Sequence, residues 1–149
     1  MSRATPQMLN FARRLIAHDA RENNSSGTKT PAVFPVGDRL RPELATLMGN
    51  NGFRALLLRS LALAASEVPW LRAMQVNADG ALAGFEAPSA ELDPADFLHG
   101  MIVLLAQLLG LLVAFIGPTL TRRLVAEIWP PILLNDKDFG DGGKNEKTK

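Results

Sequence analysis

Two kinds of hydrophobic pattern alternate along the chain. Most segments carry apolar residues on one side only, at helical spacing. Residues 101–120, MIVLLAQLLGLLVAFIGPTL, are oily on nearly every side, with Gln107 the one strongly polar position before Thr119. A helix of the second kind is either the centre of a packed domain or a membrane span.

The one-sided segments begin at the N-terminus. Met8, Phe11, Ala12, Leu15 and Ile16 recur three and four apart, and Thr5-Pro6 supplies a cap and a first-turn proline, so a helix is expected over 6–20. RENNSSGTKTP follows and reads as a flexible linker. Residues 32–36 contain Pro35 and read as extended, after which Asp38 is the expected cap of a second helix over 39–48 with Leu40, Leu44, Leu47 and Met48 inward. Gly49-Asn50-Asn51-Gly52 ends that helix. A third runs from Phe53 to about Glu67, with Leu57, Leu61, Leu63 and Ala64 set apart from Arg54 and Arg59, and Pro69 bends or stops it.

MQVNADGALAGF is the best strand candidate, with Asn77-Ala78-Asp79-Gly80 as its turn. After a loop over 87–92, Asp93-Pro94 is a strong helix start, and Gly117-Pro118 kinks or restarts the helix it opens. Residues 119–129 place Leu120, Leu124, Val125 and Ile128 on one side, and Pro130-Pro131 closes them off. The expected fold is mainly α: about five helices around a central apolar helix at roughly 94–116, with room for one small β-hairpin near 73–86. Along the chain this gives an N-terminal amphipathic helix (1–21), a flexible linker (22–37), a helical core domain (38–134) and a disordered polar tail (135–149).

Whether the oily helix is core or membrane span is decided by its neighbours. About 20 residues at about 1.5 Å each would cross a hydrocarbon layer of about 30 Å. Arg122 and Arg123 just after it would set the C-terminus in the cytoplasm of an inner membrane. Against this, Phe11, Leu15, Leu44, Leu57 and Leu61 each need an apolar partner, and a helix oily all round supplies one. The core reading, in a cytoplasmic protein, is preferred, and a single span over about 101–120 is the alternative.

Composition narrows the chemistry. The 149 residues hold no cysteine and only two histidines, His18 and His99, so thiolate chemistry is excluded and a His-rich metal cage is not expected. The N-terminal residues lack the charged-then-oily order of a secretory signal. Net charge is +1, distributed as +3 over residues 1–52, −3 over 53–100 and +1 thereafter, so no segment is basic enough to call for nucleic acid or anionic lipid. Asp96 and His99 share a helix face three apart, but acidic residues before a helix more often favour its dipole, and His18 beside Asp19 reads as a solvated helix end. No serine sits in a nucleophile elbow. A non-enzymatic interaction protein without cofactor or metal is therefore expected, its partner a protein, either itself or another.

Three sets of residues stand out for contacts. Gln107, Gly110, Ala114 and Gly117 form a narrow stripe of small or polar side chains, which lets another helix backbone come close. An ordinary contact inside the chain is the first expectation and a homodimer seam the second. Arg122, Arg123 and Trp129 form a candidate partner surface, although Trp70 and Trp129, each at a helix end beside proline, read first as packing at the rim of the core. Finally, Gly49-Asn50-Asn51-Gly52 between two helices resembles the GxxG turn of KH domains, and the coarse element order is similar. The resemblance implies an RNA-binding module clamping a single-stranded backbone at Gly49, Asn50, Asn51 and Gly52. Neither middle residue is basic and Pro35 interrupts the first strand, so a glycine helix stop is the preferred reading and nucleic acid the less favoured partner.

Overall fold

The computed structural model of the chain describes residues 6–26, 35–78, 80, 82–83 and 93–129. It is mainly helical. Four helices appear in order: α1 (Pro6–Ser26), α2 (Pro35–Glu67), α3 (Pro94–Ile116) and α4 (Pro118–Ile128). A short 3-10 turn (Pro69–Ala73) and an antiparallel pair, β1 (Gln75–Val76) with β2 (Leu82–Ala83), lie between α2 and α3.

Each helix begins on a proline, whose φ is preset and whose missing N–H would have had no partner in a first turn. The expected α3 start is met: Asp93 adopts extended backbone and Pro94 opens the helix, with Phe97 N–H reaching the Asp93 carbonyl at 3.0 Å. Elsewhere the boundaries move. α1 continues to Ser26, through residues 22–26 of the expected linker, because extending a nucleated helix gains a hydrogen bond per residue even through poor formers. Residues 27–34 of that linker, the loop at 87–92 and the tail at 135–149 fall outside the described residues.

The second and third expected helices are one interrupted element. α2 starts at Pro35, inside the segment read as extended, so Asp38 is in its first turn rather than at its cap and pairs with Arg41 at 2.9 Å. The break is a single residue, Gly49, at φ 82° and ψ 160°. That conformation is essentially confined to glycine. Asn50, Asn51 and Gly52 are already helical, so there is no projecting GNNG loop, and no strand precedes it among the described residues. The KH-like order is not found. This merging alone gives four helices among the described residues in place of about five.

The hairpin is shorter than its sequence window, two residues per strand in the register Gln75 to Ala83 and Val76 to Leu82. So small a ladder needs support from outside itself. Arg54 of α2 supplies it, donating from Nε to the Asn77 carbonyl at 2.9 Å and from Nη2 to the Val76 carbonyl at 3.3 Å. Gly80, at φ 89°, lies against Phe53 and Arg41, which completes the seating of the turn on α2.

The core lies around the first half of α3. Residues 101–109 are buried without exception, against α2, α1 and α4. The stripes read from sequence face it: Met8, Phe11, Ala12 and Leu15 from α1, Leu40, Leu44, Leu57, Leu61 and Ala64 from α2, Leu124 and Val125 from α4. Each buried leucine or phenylalanine contributes about 1.5–3 kcal/mol relative to an exposed one, so these stripes together supply the driving force. Leu47, expected inward, is instead 49% exposed, because the break at Gly49 turns the end of the first segment of α2 away from the core.

Candidate functional site

The small-residue stripe of α3 divides into a covered and an open part. Gln107 is only 2% exposed and its Oε1 is enclosed without a hydrogen-bond donor. One to two turns further on, Gly110 has nothing within 4 Å of where a Cβ would sit, and the same holds at Gly117. Ala114 is exposed, and Phe115 is 67% exposed. The expected close contact with a helix of the same chain is therefore not made at these positions. The closest approach to a glycine of α3 comes earlier, at Gly100, where a Cβ would come within 2.4 Å of the Trp70 ring of the 3-10 turn. Trp70 is half-buried there and stacks on Phe97, with ring centroids 5.7 Å apart.

The reason lies in helix lengths. α4 is 11 residues long against 23 for α3, and a glycine at φ 92° and ψ 157° joins them. That ψ suits the residue before a proline, which is pushed toward extended backbone. α4 covers the core with Thr121, Leu124 and Val125 but leaves the last turns of α3 on the outside. Gly110, Leu111, Ala114 and Phe115, spaced four apart in two rows, make that outer face.

The second candidate surface needs correction. Arg123 is exposed and Arg122 half-buried, but Trp129 is 0% exposed and cannot belong to a surface with them. Its indole Nε1 donates to Asp19 Oδ1 at 2.9 Å. The same carboxylate oxygen accepts from Arg39 Nη1 at 2.9 Å, while Arg39 Nη2 donates to the Ile128 carbonyl at 3.0 Å. The guanidinium also lies over the Trp129 ring, 5.1 Å from its centroid. Asp19 is 1% exposed and ties α1, α2 and the end of α4 together, and its neighbour His18, read from sequence as a solvated helix end, is half-buried. A buried carboxylate is tolerable only when paired and hydrogen-bonded, and here both conditions are met. No local signal marks it, because its partners are 20 and 110 positions away.

Asp96 and His99 are both exposed on the outer side of α3. Among the described residues no group of three or more His, Asp and Glu is placed to hold a metal ion. No protein family, curated protein or solved structure matches the chain.

Proposed function

We propose that the protein is a non-enzymatic helical interaction module that self-associates through the outer face of α3. The observation that carries this is Phe115, an aromatic residue 67% exposed beside Ala114 and the open backbone of Gly110. Aromatic side chains set among small neighbours are typical anchors of protein contacts, since the small residues let an opposing helix reach the anchor's flanks. Two copies crossing at this face would cover Phe115 on both sides of a two-fold axis. A cytoplasmic location fits this reading.

Sedimentation velocity over a wide concentration range tests it. Mass should rise from one copy to two, and Phe115→Glu should hold the protein at one copy without altering its helical circular dichroism. A chain that stays monomeric at every concentration would end the reading.

A second reading rests on the same helix. Residues 95–116 form a helix long and apolar enough to cross a membrane, the one such helix among the described residues. Under that reading the chain is a small single-pass membrane protein. Carbonate extraction of cells expressing it separates the two: the interaction module is released, and the membrane protein stays in the pellet.

A further inference from the structure

Along the segment of α2 that follows the break, an apolar cleft of about 390 Å³ opens between the helix, the 3-10 turn and Met74. Its helical wall is formed by Leu58, Leu61, Ala62 and Ala65, at the spacing that puts them on one face, with Leu71 of the turn as floor. Leu58, at the mouth, is 40% exposed. Ser66 and Arg72 complete the lining. The Ser66 hydroxyl donates to the Leu63 carbonyl at 2.7 Å, so its proton is committed. Arg72 is exposed, and no carboxylate lines the cleft or pairs with Arg72 among the described residues. The cleft thus has a long aliphatic wall and a single cationic side chain.

We propose that this cleft binds a medium-chain monocarboxylate, its alkyl chain along Leu58–Ala65 and its carboxylate on Arg72. The cleft is shallow and open to solvent along one side, so a bound chain would lie against the wall with its other side in water. The wall from residue 58 to 65 spans about 10 Å at about 1.5 Å per residue, which an extended chain of roughly eight carbons with bonds of about 1.5 Å fills. The charge selects the head group: a planar guanidinium pairs a carboxylate through two parallel hydrogen bonds. An aliphatic amine would meet Arg72 with like charge. The site is separate from the outer face of α3, and it stands or falls independently of self-association.

Titration of the whole chain with butanoate, hexanoate, octanoate and decanoate, followed by calorimetry, tests the wall. Affinity should rise two- to about fourfold per methylene, the upper value being about 0.8 kcal/mol for a fully buried CH₂, and level off near eight carbons. Arg72→Gln should weaken octanoate two- to about fivefold, the range of an exposed ion pair, and leave octan-1-ol unchanged. Ala62→Trp, a change at an exposed position, should abolish octanoate binding without lowering thermal stability. Three results would overturn the proposal. One is no saturable octanoate binding below about 1 mM; another is equal loss of acid and alcohol in Arg72→Gln. The third is concentration-dependent broadening of the Leu58 and Ala62 resonances in ligand-free Phe115→Glu protein, which would give the cleft to a second copy.

Discussion

The indole nitrogen of Trp129 and the carboxylate of Asp19 meet at 2.9 Å although 110 positions separate them. With Arg39 on the same oxygen, the pair closes α1, α2 and the end of α4 around the first half of α3. Asp19→Ala leaves a buried N–H and a guanidinium without their acceptor. Breaking a buried pair costs about 3–5 kcal/mol, and the low end applies because the Arg39 side chain is 36% exposed and can take up water. Trp129→Phe removes one donor from a carboxylate that keeps the other, at about 1–3 kcal/mol. In urea unfolding, the double variant should show a coupling of at least about 1 kcal/mol. Strict additivity would mean the two residues stabilise the fold separately.

Gly100 and Gly110 are two glycines of one helix with opposite expected behaviour. A Cβ at Gly100 would fall 2.4 Å from Trp70 Cζ2, inside an aromatic stack with Phe97 that has no flexible end to move. Gly100→Ala should therefore destabilise by about 1–3 kcal/mol, the usual range for overpacking. At Gly110 a Cβ meets nothing within 4 Å, and alanine is the better helix former by about 0.5–1 kcal/mol. Gly110→Ala should raise the thermal midpoint. Equal effects in the two variants would show that Trp70 does not sit against Gly100.

Gly49 and Gly117 share a backbone conformation, φ 82° with ψ 160° and φ 92° with ψ 157°. Neither has anything near its absent side chain, so any penalty there is backbone strain and not crowding. Such residues carry about 1–3 kcal/mol of strain when they are not glycine. Gly49→Ala and Gly117→Ala should each cost that much, and D-alanine introduced by chemical ligation at Gly117 should restore the loss. If L-alanine is tolerated at Gly49, the two segments of α2 run on as one straight helix.

What the residues reveal in advance follows the range of the interactions concerned. The stripe Met8, Phe11, Ala12, Leu15 is set by positions three and four apart, and it faces the core as its spacing demands. The same holds for Asp93-Pro94 and Gly117-Pro118, where the constraint lies within a dipeptide. The bond between Asp19 and Trp129 carries no such local signal, because each residue's role depends on a partner far away in the chain. Pro35 misleads for a different reason: proline usually ends regular structure, yet here it begins α2, whereas the glycine stop expected at GNNG is met by the break at Gly49. The stripe on α3 was visible from residue types, but which part is covered depends on where the shorter α4 stops, a fact of packing that no local pattern holds.

Gln107 is the polar residue at the centre of this apolar helix, 2% exposed, with its Oε1 lacking a donor. A buried acceptor left without a partner costs about 1–3 kcal/mol in lost hydration. Methionine has the same unbranched reach and no such demand, so Gln107→Met should stabilise the chain by about 1–2 kcal/mol in urea unfolding, the gain coming from the removed desolvation cost. Its effect on assembly is a separate measurement. Because Gln107 Oε1 is enclosed within the monomer while Gly110 and Phe115 lie outside, Gln107→Met should leave the dimerisation constant unchanged. A loss of stability would place an ordered water or a donor on Oε1. A loss of dimer without a loss of stability would instead show that Gln107 swings outward to bond across the two-fold axis.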